Sequence, residues 1–214
     1  MTVTLVSISR PVIDELKTAE DLIAYTARVS NPANQMNMET APKLLGYLIR
    51  NSHWSPFEMV SMTVEIVTTR DIARQILRHR SFSFQEFSQR YAAVTANPVF
   101  SEARLQDAKN RQNSLNTDDA ELQAWWLQAQ ESVSKVTSDL YKQALDRGLA
   151  KEQSRKLLPE GLTESRLYMA GTVRSFIHYC DLRTMEGTQK EHRDIAFQVR
   201  DILAEQFPSL SEHV

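Results

Sequence analysis

A change of hydrophobic period near residue 67 constrains this chain more than any other feature. Val60, Met62, Val64 and Ile66 alternate with Ser61, Thr63 and Glu65, which predicts a strand with one buried face. Directly afterwards Ile72, Ala73, Ile76 and Leu77 fall on one helical face, with Arg74, Gln75, Arg78 and His79 on the other. Thr69 is the expected N-cap of that helix. The passage contains no glycine, and the whole chain has only five with no glycine-rich loop. Neither a dinucleotide fingerprint nor a P-loop is therefore available.

The flanking segments supply the rest of a small α+β chain. Residues 3–8 alternate weakly, as an edge strand does. Thr18 with Asp21 forms a capping box that opens a helix reaching about residue 29. A helix over 42–50 buries Leu44, Leu45, Leu48 and Ile49. Ser55 as N-cap, Pro56 and Glu58 predict a short helical turn. Residues 95–117 are polar and without period, so they are expected to form a surface loop or insertion. A long helix over 118–147 follows, with Trp125, Trp126, Ala129, Val133, Val136, Leu140 and Leu145 on its apolar side and Gly148 as its stop. Shorter elements are expected at 151–157 (helix) and 166–170 (strand). Gly171 then turns the chain into a helix over 173–182, and a last helix covers 189–207. The reading is one domain, 1–214, with a small, mostly antiparallel sheet surrounded by helices.

Composition excludes several functions. The chain has 214 residues and a net charge of −2, so no bulk field would hold it on nucleic acid. Cys180 is the only cysteine, which rules out an internal disulfide and a multi-cysteine metal site. The five histidines show no metal-ligand spacing, and no metal is expected. The start, Met1-Thr2-Val3-Thr4-Leu5, lacks a signal-peptide pattern, and no apolar stretch is long enough to span a membrane. A cytoplasmic location is expected.

The chemistry concentrates in residues 78–90, Arg78-His79-Arg80-Ser81-Phe82-Ser83-Phe84-Gln85-Glu86-Phe87-Ser88-Gln89-Arg90. Cations at a helix end are routinely explained by the helix dipole. The continuation asks for more. If 82–90 were extended, Glu86, Ser88 and Arg90 would point to one side, yet the aromatics would be divided between both. Arginines that clamp a phosphate, a serine donor and flat rings suit an anionic planar ligand. A basic, aromatic patch for single-stranded nucleic acid, using residues 70–90, remains the alternative. A second polar group lies at Arg155, Arg174, His178 and Arg183. Cys180 reads as a buried packing residue rather than a nucleophile.

Arg78-His79-Arg80, seven intervening residues and Ser88 closely resemble the signature of flavin-dependent thymidylate synthases, and Arg90 fits two positions later. The likeness continues at 53–58, 155–159, 171–183 and Thr188-Gln189. The resemblance implies conversion of deoxyuridine monophosphate (dUMP) to deoxythymidine monophosphate (dTMP), with 5,10-methylenetetrahydrofolate as carbon donor, FAD as cofactor and NADPH as reductant. It also implies a homotetramer whose active sites combine several subunits. By that likeness Gln75, Arg78, Glu86, Ser88, Arg90, Arg155 and Arg183 contact the nucleotide. Ser55, Arg78, His79, Arg80, Glu86, Thr172, Arg174 and His178 contact FAD. Arg183 resembles the arginine beside the uracil ring and is the expected catalytic residue. Two positions depart from the common pattern: Thr172 stands where many members have asparagine, and Gly187 where some have histidine.

Overall fold

The computed structural model describes residues 1–211. The chain runs β1 (Thr2–Ile8), α1 (Ala19–Ala27), α2 (Ala41–Arg50), β2 (Ser61–Thr69), α3 (Arg70–Ile76), β3 (Ser83–Glu86), β4 (Arg104–Gln106), β5 (Ser114–Asn116), α4 (Ala120–Asp146), α5 (Lys151–Ser154), β6 (Glu164–Thr172), α6 (Val173–Arg183) and α7 (Lys190–Gln206). The main sheet has the order β1-β2-β6-β3, and all its pairs are antiparallel. This is the α+β class expected. β1 lies at one edge, as its weak alternation implies.

Register puts the core on one face of the sheet. Val64 opposes Met169 and Ile66 opposes Leu167, and all four side chains are fully buried. Ile72, Ala73 and Ile76 of α3, Phe176 and Ile177 of α6, and Ile195, Val199 and Leu203 of α7 complete the same cluster. Burial of this apolar area is the main stabilising term, at roughly 25 cal/mol per Å². The Thr18–Asp21 capping box forms in full at the start of α1.

Five details differ from the sequence reading. The Trp54–Glu58 turn is 3-10, its cap position is Trp54, and Ser55 makes no capping bond. α3 ends at Ile76, because Arg78 N–H and His79 N–H bond back three residues to Gln75 and Ile76 and tighten the last turn. Arg78 and His79 therefore lie beyond the helix and do not share its face with Gln75. Gly171 is no turn but a strand residue. A Cβ there would lie 2.5 Å from the Phe82 ring, so glycine lets β3 and its lead-in close on β6.

The other two differences concern residues 95–147. The polar 95–117 stretch contains the β4–β5 hairpin, with Leu105 opposite Leu115. Strands of three residues are too short to show a period. Asp107 holds the tip by accepting from Lys109 N–H, Asn110 N–H and Asn113 Nδ2–H. α4 turns a different face inward. Gln130, Ser134, Tyr141 and Ala144 are buried, whereas Trp125, Val133, Val136 and Leu140 are exposed. Hydrogen bonds set this rotation: the Gln130 amide bonds both Ser101 backbone groups, and Tyr141 Oη accepts from Val94 N–H. Gly148, at φ +82°, closes the helix in the left-handed region, as its stop position requires.

Candidate active site

Two strand-to-helix passages build the site. β2 leads into α3 and β6 leads into α6, each through a threonine in extended conformation. Because β2 and β6 are antiparallel neighbours, α3 and α6 start from opposite ends of the sheet. Their C-terminal ends consequently meet. Arg183, the last residue of α6, donates its Nε–H to His79 Nε2 at 2.9 Å. A guanidinium can only donate, so His79 accepts at Nε2 and carries its proton on Nδ1. Burial, and then the Arg183 charge, hold the His79 pKa below the ordinary histidine value.

Behind that contact lies a layer the sequence reading did not assign. His192 of α7 is 0% exposed, and its Nδ1 sits 3.3 Å from Gln75 Oε1. Burial pushes its pKa down to about 3, helped by the Arg183 charge. Tyr179 packs edge-on against His79 with centroids 5.1 Å apart, and its ring lies 5.8 Å from that of His192. Burial raises the Tyr179 phenol. Among the described residues, Tyr179 Oη and His192 Nε2 have no hydrogen-bond partner. Gln75 also donates from Nε2 to Gln189 Oε1 at 2.7 Å. Gln75 and His79 thus both border His192, and Arg183 bonds His79. The only sequence hint of the layer behind them was the Thr188-Gln189 satellite.

The remaining nucleotide candidates fall into two groups. Glu86 shares the inner sheet face with Leu167, accepts from Ser165 Oγ at 2.8 Å, and pairs with the Arg70 guanidinium at 3.5 Å. Strand β3 stops there, so Ser88 and Arg90 do not continue its alternation and both lie exposed in the following loop. Arg90 pairs with Glu152 at 3.2 Å, which joins that loop to the segment carrying Arg155. Arg78, Arg80 and Arg155 make no side-chain hydrogen bond or ion pair among the described residues. Three guanidinium groups without carboxylate partners leave their charge available to an anion.

The flavin candidates of α6 gather around the 54–58 turn. Arg174 pairs with Glu58. His178, one turn on, packs edge-on against Trp54 at 4.6 Å. Ser55 is exposed in the same turn. Thr172 instead caps α6, its Oγ1 accepting from Ser175 N–H at 3.4 Å. Gly187 lies in open space, exposed.

The sequence model of the family described as thymidylate synthase complementing protein matches residues 11–209. A flavin-dependent thymidylate synthase of Synechocystis is 53% identical over 214 residues, covering 99% of this chain and 98% of that protein. A probable flavin-dependent thymidylate synthase of Paramecium bursaria Chlorella virus 1 is 51% identical, with the same two coverages. The chain belongs to the flavin-dependent thymidylate synthase family. It is accordingly an enzyme of the methyltransferase class. The fold agrees with a solved UMP/dUMP methylase, PolB of Streptomyces cacaoi, crystallised with 5-Br dUMP. That structure superposes with a TM-score of 0.83 at 28% identity, covering 99% of this chain and 93% of PolB.

Cys180 is buried in the core. Its side chain is 1% exposed, and burial pushes its thiol up to about 12, which leaves no thiolate for attack. The nucleic-acid alternative is not favoured. Arg70 is buried against Glu86, Arg74 is paired with Glu160, and Arg90 with Glu152, so much of that patch is internally neutralised. A cleft of about 380 Å³ between residues 93–98 and α4 is lined by none of the proposed site residues. No described helix is long and apolar enough to cross a membrane.

Proposed function

We propose that the protein is an FAD-dependent thymidylate synthase acting in de novo dTMP supply. It converts dUMP to dTMP, with 5,10-methylenetetrahydrofolate as the one-carbon donor and NADPH as the reductant, in the cytoplasm. Residues 1–214 act as one catalytic domain. The observation that carries the reading is the Arg183–His79 contact with Gln75 beside it, which joins the Arg78-His79-Arg80 signature to the end of α6.

Each side chain then has a task. Arg78 and Arg155, which have no side-chain partner among the described residues, clamp the nucleotide phosphate with Arg90, released from exposed Glu152. Ser88 adds a hydroxyl donor. Gln75 hydrogen-bonds the nucleotide, and Glu86 stays fixed by Arg70 and Ser165 at its edge. Arg183 holds a permanent positive charge where negative charge develops on the pyrimidine, and neutral His79 orients it. The donor set also fits FAD: Ser55, Arg80, Arg174 and His178 offer a hydroxyl, two cations and a ring, with Arg78 and His79 between the two ligands and Thr172 at the helix start. When bound, FAD supplies the hydride. No cysteine nucleophile is required, in keeping with the buried Cys180.

The assembly proposed is a homotetramer with shared sites. Trp125, 60% exposed, and the exposed Val133, Val136 and Leu140 form an apolar face on α4 that a second copy would cover. The deciding experiment is the visible spectrum of the purified protein with and without dUMP. Oxidised-flavin bands that shift on dUMP addition are expected. A colourless protein that takes up no FAD, or flavin bands indifferent to saturating dUMP, would overturn the proposal.

A further inference from the structure

The β4–β5 hairpin is tied to the site by an unbroken hydrogen-bonded chain. Arg104 Nη2 lies 2.6 and 2.9 Å from the two carboxylate oxygens of Glu191, in the first turn of α7. Both side chains are only 12% exposed. Glu102, beside the hairpin, makes a second tie to Lys190. Gln189 Nε2 donates to Glu191 Oε2 at 3.0 Å, Gln75 Nε2 donates to Gln189 Oε1 at 2.7 Å, and Gln75 Oε1 faces His192 Nδ1 at 3.3 Å.

The charged end dictates the direction of every bond. A guanidinium only donates and a carboxylate only accepts, so Gln189 must turn its NH2 toward Glu191. Its oxygen then faces Gln75, which must offer NH2 to Gln189 and oxygen to His192. His192 is left to donate from Nδ1–H and keep Nε2 bare, and that nitrogen is buried with no partner among the described residues. An amide alone has two nearly equivalent orientations, and here an ion pair two residues removed selects one.

We infer that Arg104 and Glu191 are positioning residues that, through Gln189, fix the donor and acceptor ends of the Gln75 amide and the Nδ1–H tautomer of His192. The hairpin thereby orients a group that meets the pyrimidine nucleotide. The link to the nucleotide rests on the proposed role of Gln75. The polarity of the chain does not.

The test uses the flavin-loaded protein and has two readouts. Solid-state 15N spectra of histidine-labelled protein, assigned with His192→Asn, should show His192 neutral with its proton on Nδ1. In the double variant Arg104→Met/Glu191→Gln, which leaves no buried charge unpaired, the His192 signal should become mixed or move to the Nε2–H form. The KM for dUMP should rise roughly ten-fold, the scale of one misdirected buried hydrogen bond. FAD content should stay within about two-fold and kcat should fall much less than KM rises, while Arg104→Lys should restore most of the KM. A His192 proton on Nε2 in the native protein overturns the inference, and so does an unchanged tautomer in the double variant. A native Nδ1–H tautomer that the double variant disturbs, in a protein that does not turn over dUMP, would support the polarity chain and sink the proposed function instead.

Discussion

Replacing Gly171 by alanine tests how β3 and the signature are held on β6. The added Cβ would stand 2.5 Å from Phe82 Cδ1, 2.9 Å from Cε1 and 3.4 Å from the Ser81 carbonyl oxygen. Carbon atoms pack best at about 3.5–4.0 Å, so the ring must retreat by about 1 Å. It has little room, because Phe176 lies 4.8 Å away edge-on, with Tyr179 at 6.0 Å and Phe84 at 6.2 Å. Overpacking of this kind costs about 1–3 kcal/mol. Removing glycine from a strand returns roughly 0.5–1 kcal/mol of backbone entropy. The net expectation is a loss of about 1 kcal/mol, or about 0.5 M in the urea midpoint for a slope near 2 kcal/mol/M. Urea unfolding at fixed protein concentration, followed by near-ultraviolet circular dichroism, would measure it. Phe82→Leu removes the obstructing edge, so in that background Gly171→Ala should keep only its entropy gain and stabilise by roughly 0.5–1 kcal/mol. The coupling between the two changes, which equals the overpacking cost removed, should be about 2 kcal/mol. A neutral Gly171→Ala, or additive effects, would refute the close-approach argument.

Three further outcomes follow from the site. His192 has a folded pKa of about 3 against an ordinary 6.5, so the unfolded chain binds a proton that the folded chain refuses. Stability from this group is therefore complete above about pH 6.5 and falls by about 1.4 kcal/mol per unit as the pH drops toward 3. His192→Gln should flatten that slope in urea titrations between pH 7 and 5, and identical slopes would contradict it. Cys180→Ala should keep dUMP methylation within about two-fold while costing about 1 kcal/mol of stability; a hundred-fold loss of turnover would mean the thiol has a chemical role. Arg183→Ala should cut methyl transfer by about 10²–10³-fold with FAD retention little changed. Equal loss of both, measured by turnover and by bound-flavin absorbance, would assign Arg183 to folding or cofactor binding.

Much of the local structure was legible because it depends on near neighbours. The period switch from Val60–Ile66 to Ile72–Ile76 marks β2 and α3, since side-chain direction repeats every two residues in a strand and every 3.6 in a helix. The Thr18–Asp21 box and Gly148 acted within one turn of chain, and both work as their residue types require. The signature Arg78-His79-Arg80 through Ser88 was visible for the same reason. What it would touch was not. Gly171 looked like a turn because a glycine's reason for being there, the Phe82 ring, lies 89 positions away in the chain. The apolar stripe of α4 was read correctly as a stripe, yet Gln130 and Tyr141 bond the 94–101 segment and rotate it outward. The partners of Gln75 are Gln189 and His192, 114 and 117 residues away. Sequence alone determined the elements and the reactive inventory, because period, caps and residue chemistry are local. Only the tertiary structure decided which of those groups face one another, because antiparallel β2–β6 pairing brings the ends of α3 and α6 together.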